Sequence, residues 1–208
     1  MKTRIAGLIA LTALLGCSPP AQQAEAAPAA PPPPGFEVAV FAGGCFWSQE
    51  KAFDGLRGVR SAVSGFVGGR TANPTYEQVV RGGTGHREAV QVTYDPRIVS
   101  YRALVDRYWR TIDPTDPDGQ FCDQGPAYVT AVYATPAQRA AADASRAAAR
   151  QALGRNIVTP VIAASRFWPA GAEHQDYARL HHARYEAYRI GCRRSTDLRR
   201  LWGAAAVG

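Results

Sequence analysis

Residues 36–50 read Phe36-Glu37-Val38-Ala39-Val40-Phe41-Ala42-Gly43-Gly44-Cys45-Phe46-Trp47-Ser48-Gln49-Glu50. Phe36, Val38 and Val40 alternate with Glu37, Ala39 and Phe41. That is the two-residue period of a strand. Gly43-Gly44 breaks it, and the spacing then predicts a helix from Cys45 to a stop at Asp54-Gly55. A thiol is therefore expected at a strand-to-helix turn. Unpaired N–H groups and the helix dipole favour negative charge at such a place, which stabilises a thiolate. The two glycines allow a substrate close to the backbone, and Phe46 and Trp47 offer an apolar wall. The plainer reading is a small buried core cysteine.

Outward from this turn, residues 59–67 suggest a second strand closed by Gly68-Gly69, and residues 88–94 alternate as a third. Ser100 caps a predicted helix to about Ile112, with Leu104, Val105, Tyr108, Trp109 and Ile112 along one stripe. Residues 113–125 carry two Asp-Pro pairs and read as a long loop. A strand over 128–133 precedes Thr135-Pro136-Ala137-Gln138, a helix start with a first-turn proline and a capping-box glutamine. An Ala-rich helix to Leu153, a strand over 157–163 and a helix over 173–188 complete the pattern. Strands and helices mix without a strict βαβ repeat, so an α+β sandwich with helices on a mixed sheet is expected.

The 208 residues, 46% of them hydrophobic and 20% charged, suit one globular domain with appendages. Four cysteines are too few for a disulfide-stapled scaffold of this size. No apolar run has the length of a spanning helix, which excludes a multi-pass membrane protein. The net charge of +7 is carried almost wholly by arginine. These arginines are dispersed, with one cluster at Arg193, Arg194, Arg199 and Arg200, so nucleic-acid binding is not expected.

The first sixteen residues read as a secretory signal: Lys2 and Arg4 precede a short apolar stretch from Ile5 to Leu15. Leu14-Leu15-Gly16-Cys17 resembles a bacterial lipoprotein box, which implies cleavage before Cys17 and acylation of that residue. Acyl chains would anchor the chain to a membrane. Residues 17–35 form a Pro/Ala-rich tether with no large apolar side chain, and the globular domain is expected over 36–208. The expected location is the bacterial periplasm, on a membrane.

Several motifs beyond the turn fall in one register. Gly43-Gly44-Cys45-Phe46-Trp47-Ser48-Gln49-Glu50 resembles the active-site signature of the A-type peptide methionine sulfoxide reductases. Gly65-Phe66-Val67-Gly68-Gly69, Asn73-Pro74-Thr75-Tyr76, Thr84-Gly85-His86-Arg87-Glu88-Ala89-Val90, Asp123-Gln124-Gly125, Tyr128 and His174-Gln175-Asp176-Tyr177 follow the same family pattern. The resemblance spans about residues 36–203. It implies a ferredoxin-like two-layer α+β sandwich with a largely antiparallel sheet. It implies reduction of the S epimer of methionine sulfoxide, free or in proteins, without a metal or bound organic cofactor.

Sulfoxide oxygen leaves poorly until it is protonated, so the reaction needs a nucleophile, an acid and donors to the oxygen. The resemblance assigns Cys45 as nucleophile, Glu88 as acid, and Tyr76 and Tyr128 as phenolic donors. Phe46 and Trp47 would hold the S-methyl group, Asp123 would organise the pocket and Tyr177 would border it. Glu88 must be buried or otherwise perturbed to keep a proton at neutral pH. A Cys45 sulfenic acid would condense with a second thiol. Cys192, expected on a mobile segment beyond the last helix, is the principal resolving thiol; Cys122 is the runner-up or a relay to it. Thioredoxin or an exported thioredoxin-like protein would reduce the disulfide. Two other readings stay open: a thiol peroxidase or disulfide exchanger, disfavoured by the lack of a Cys-x-x-Cys pair, and a non-enzymatic binding module. A histidine metal site is disfavoured because the adjacent His181 and His182 diverge on a helix.

Overall fold

The computed structural model describes residues 29–208. The expected signal segment, Cys17 and the first part of the tether lie outside the described residues. In chain order the elements are β1 (Glu37–Ala42), α1 (Phe46–Phe53), β2 (Val59–Val67), α2 (Tyr76–Arg81), β3 (Arg87–Tyr94), α3 (Tyr101–Trp109), β4 (Gly119–Gln120), β5 (Asp123–Gln124), β6 (Ala131–Ala134), α4 (Pro136–Leu153), β7 (Val161–Ala163), β8 (Phe167–Pro169), α5 (Tyr177–Leu180), α6 (His182–Gly191) and α7 (Arg194–Trp202). The fold is α+β. Six strands form a sheet in the order β7-β6-β1-β3-β2-β8. Only the β6–β7 edge pair is parallel. β4 and β5 form a separate small hairpin.

The period-2 pattern of β1 and β3 decides what each face buries. Ala39 and Phe41 of β1 and Val90, Val92 and Tyr94 of β3 join the main core with Phe53 of α1, Leu104, Val105, Tyr108 and Trp109 of α3, and Leu198 and Trp202 of α7. Each fully buried large apolar side chain contributes roughly 1.5–3 kcal/mol. The alternate residues Ala42 and Ala89 pack on the other face with Val67, Tyr133 and Phe167. Glu88 shares its parity with Val90 and Val92, which turns its carboxyl toward the helical face, opposite Phe66 of β2.

Several expected elements differ in extent. The strand over 128–133 begins only at Ala131, because Gly125 at φ 109 and Pro126 open a short 3-10 turn to Tyr128. The strand over 157–163 shrinks to β7: Pro160 has no N–H for a ladder, and Val158 and Thr159 donate to the Pro114 carbonyl instead. The helix over 173–188 is broken into a 3-10 turn, α5 and α6. Asp176 adopts φ 54 and His181 leaves the helical region, and each interrupts the ladder. The pattern reading did not include α2, β8 or α7. α2 carries a full capping box between Thr75 and Gln78. α7 also corrects the placement of Cys192, which sits at the junction between α6 and α7 and not on a tail past the last helix. Among the described residues no helix is long and apolar enough to cross a membrane.

Candidate active site

Cys45 is the residue immediately before α1, and its carbonyl accepts the first helical bonds from Ser48 and Gln49. It is buried and makes no disulfide with another cysteine of the described residues. The preceding glycines are not an open approach for substrate, as the sequence suggested; they are packing necessities. A Cβ on Gly43 would lie 2.4 Å from the Gln49 amide carbon, and one on Gly44, at φ 76, would lie 2.5 Å from Gln120 Cβ. Gln49 Nε2 also donates to the Gly43 carbonyl at 3.0 Å.

The first N–H of α1 is not free to favour a thiolate. Phe46 N donates to Glu88 Oε2 at 2.9 Å, so β3 caps the helix that carries the thiol. Glu88 is 1% exposed. Burial pushes its carboxyl up to about 8, against the pull of the Phe46 N–H, and nearby Asp123 adds to the rise. At neutral pH it therefore holds a proton. Burial also pushes the Cys45 thiol up to about 12, with Glu88 and Asp123 adding charge repulsion and the Tyr188 phenol and Ser48 N–H opposing it. This overturns the expected resting thiolate. Removal from water costs the charged form more than the helix terminus returns.

Aromatic side chains enclose this pair. Phe46 lies 6.1 Å from Tyr76 and 5.3 Å from His174, between ring centroids, and packs with Phe66 and Trp168. Trp47 stacks on Tyr177 at 3.7 Å with an 8° interplanar angle. Tyr76 opens α2, and Tyr128 ends the 3-10 turn before β6. Burial raises both phenols, Tyr76 to about 12, and ionised Glu88 raises each further. Both are therefore uncharged donors at neutral pH. Trp47 Nε1 and His174 Nδ1 are buried without a hydrogen-bond partner among the described residues. Burial lowers the His174 pKa, so its ring is neutral.

The other wall comes from β5 and α6. Tyr188 donates its hydroxyl to Asp123 Oδ2. Burial raises Asp123, while Tyr188 and Arg194 hold it down. Cys122, at the tip of the β4–β5 hairpin, is bonded to Cys192, with their Cα atoms 5.1 Å apart. Thus Cys45, Glu88, Tyr76, Tyr128, Phe46, Trp47, Asp123 and Tyr177 converge on one site, with Cys122 and Cys192 paired at its edge. The sequence reading missed two members. Tyr188 precedes Cys192 by four residues, one helical turn, a spacing that could have revealed it. His174 stood in a matched motif but was weighed only as a metal ligand. Glu50 is structural: it accepts from Asp176 N at 2.6 Å and from Ser64 Oγ, joining α1 to β2. His86 is structural too, held by the Thr71 carbonyl at 2.7 Å and by Gly69 N–H at 3.2 Å.

A buried thiol beside a protonated acid, with two further cysteines already joined, is equipped for oxygen transfer and then disulfide exchange. That chemistry defines a thiol-dependent oxidoreductase. The family described as "Peptide methionine sulfoxide reductase" matches residues 37–206. The chain is 50% identical over 171 residues to peptide methionine sulfoxide reductase MsrA 2 of Rhizobium meliloti, covering 82% of this chain and 85% of that one. It is 45% identical over 204 residues to MsrA 2 of Caulobacter vibrioides, covering 98% and 100%. Methionine sulfoxide reductase A of Corynebacterium diphtheriae is similar in structure, with TM-score 0.64 and 32% identity over 72% of this chain and 77% of that one. The chain belongs to the A-type methionine sulfoxide reductase family. It reduces methionine sulfoxide by thiol chemistry, through a reactive cysteine and a disulfide intermediate.

Proposed function

We propose that the chain reduces the S epimer of methionine sulfoxide, free and in proteins, with Cys45 as nucleophile and Glu88 as acid. The observation that carries this reading is the buried Glu88 carboxyl on the Phe46 N–H, one residue from the thiol. Phe46 and Trp47 receive the S-methyl group. Tyr76 and Tyr128 donate to the sulfoxide oxygen, Asp123 organises the pocket through Tyr188, and Tyr177 backs Trp47.

Glu88 passes its proton to the sulfoxide oxygen as the Cys45 sulfur attacks the sulfoxide sulfur. The thiol proton returns to Glu88. The sulfur–sulfur bond made in that attack breaks again as the hydroxyl passes to the Cys45 sulfur: the substrate S–O bond is broken, a Cys45 S–O bond is made, methionine leaves, and Cys45 is a sulfenic acid. The Cys192 thiol then attacks the Cys45 sulfur, forming a disulfide and releasing water. Cys122 attacks Cys192, restoring the Cys45 thiol and leaving the Cys122–Cys192 bond. Thioredoxin or an exported thioredoxin-like dithiol supplies the two electrons that reopen it. Single turnovers with each separated epimer test the assignment. Methionine should appear from the S epimer alone, and turnover of the R epimer would refute it.

The ferredoxin-like reading belongs to the same proposal. The antiparallel order β6-β1-β3-β2, with α1 between β1 and β2 and α3 between β3 and β6, supports it. So does the exported lipoprotein: charged Lys2 and Arg4, the apolar run and Cys17 support cleavage, acylation and a membrane-held periplasmic enzyme. Cys17→Ala should release an active domain from the membrane fraction. A wild-type N-terminal peptide without acyl mass would overturn the anchor.

A further inference from the structure

Arg194 has no part in the chemistry above, yet it is 2% exposed and belongs to no ion pair among the described residues. It is the first residue of α7, two beyond Cys192, and Arg193 before it turns at φ 54. Its guanidinium reaches three other segments. Nη2 donates to the Thr111 carbonyl at 2.7 Å, just past α3, and to the Gly43 carbonyl at 3.4 Å, in the turn that carries Cys45. Its Cζ lies 4.7 Å from the ring centroid of Phe121, the neighbour of Cys122. Nη1 is buried without a hydrogen-bond partner among the described residues and lies 3.8 Å from where a Cβ on Gly44 would stand. One buried fork thus touches the flank of every cysteine in the domain. A planar guanidinium suits such multiple contacts, whereas an ammonium does not.

We propose that Arg194 is a positioning residue for disulfide formation, holding the Cys45 turn, the Cys122 hairpin and the Cys192 junction in one assembly. This rests on the reading that Cys45 is the nucleophile and that Cys192 and Cys122 resolve it. The step served is attack of a thiol on the Cys45 sulfenic acid, in which the S–S bond forms and water leaves. A disulfide needs Cα atoms about 4.4–6.8 Å apart, so it is sensitive to displacement of either segment. The first chemical step depends less on Arg194. Gln49 Nε2 and Glu88 hold the Cys45 turn independently, through the Gly43 carbonyl and the Phe46 N–H. Among the hydrogen bonds of the described residues the β4–β5 hairpin has no such second tie to that turn; α6 reaches α1 one to two turns before its junction with α7, through Tyr185 Oη to Ser48 Oγ at 3.3 Å and the Tyr188 phenol that faces Cys45. The Arg194 charge also opposes the rise of Asp123 and Tyr188, which joins these two segments by hydrogen bond.

The test is a single turnover of the fully reduced protein with methionine sulfoxide and no reductant, following methionine release and thiol loss separately. Arg194→Met should release methionine within about threefold of the wild-type rate, as expected of weakly coupled sites. Loss of its second thiol, the one that disulfide formation consumes, should slow roughly 10- to 100-fold, the scale of a small misplacement, and dimedone should trap the Cys45 sulfenic acid. Arg194→Lys, with the charge but not the fork, should lie between. Methylguanidinium should speed disulfide formation in Arg194→Ala, a response that a purely structural loss would not give. Loss of the second thiol keeping pace with methionine release in Arg194→Met would overturn the proposal. So would equal slowing of both steps without methylguanidinium rescue. A wild-type protein that releases methionine and loses only one thiol, that of Cys45, would instead overturn the resolving roles of Cys192 and Cys122.

Discussion

The Cys45 turn and the Cys122–Cys192 pair are built to opposite specifications. Cys45 is buried, follows a central strand and is braced by Gln49 and by Glu88 from the neighbouring strand. Cys122 is exposed on a hairpin tip, and Cys192 is half-buried between two helices at the end of the fold. A thiol that attacks a small substrate needs fixed geometry and exclusion of water. In the proposed cycle an external dithiol must open the disulfide, and that needs access. The difference teaches that the fold separates the two jobs, with Tyr188 and Asp123 spanning the boundary.

Variants on the two sides should fail at different steps. Cys45→Ser should reduce methionine formation to background, because a hydroxyl is a far weaker nucleophile at neutral pH; retained activity in a clean preparation would remove the sheet side of the comparison. Cys192→Ser should still give one stoichiometric turnover and then almost no recycling by thioredoxin. If Cys122→Ser fails in that way while Cys192→Ser recycles, the order of the two resolving thiols reverses.

Glu88→Gln should slow the reduction step roughly 10²-fold or more. Burial raises the Glu88 carboxyl to about 8, so the acid form is present below that pH and is lost above it. Single-turnover rates should fall as pH rises through about 8 in the wild type, and Glu88→Gln should lack that limb. Folding carries the same sign: protonated Glu88 stabilises the fold fully below about 4.5, and that contribution fades as pH climbs through 8. Tyr188→Phe removes one hydrogen bond to Asp123 and should cost only about 3- to 10-fold. A larger effect on thiol loss than on methionine release would place Tyr188 with the recycling side.

Much of the sheet side was legible in the sequence because its signals are local. Alternation set β1, β2 and β3 nearly to the residue, Gly43-Gly44 marked the turn, and Thr135 with Gln138 marked α4. The roles at the site came from motifs in register, not from pattern. Periodicity would have left Glu88 an exposed strand carboxylate; only the pairing with β2 and the cover of α1 bury it. The thiolate expectation at Cys45 failed for a related reason. A helix terminus is visible in sequence, but the long-range packing that takes the thiol out of water is not. The recycling side was harder to read because it depends on long-range packing. Gly191 suggested a loose end, whereas Leu198 and Trp202 dock α7 into the main core. Nothing local announced the αL turns at Asp176 and Arg193 that break the C-terminal helix.

The most direct test of the whole account is a peptide map of the reduced protein after one equivalent of methionine sulfoxide, without reductant. The account predicts one methionine formed, a Cys122–Cys192 disulfide and a Cys45 thiol. Methionine formed while Cys122 and Cys192 both remain thiols would contradict it.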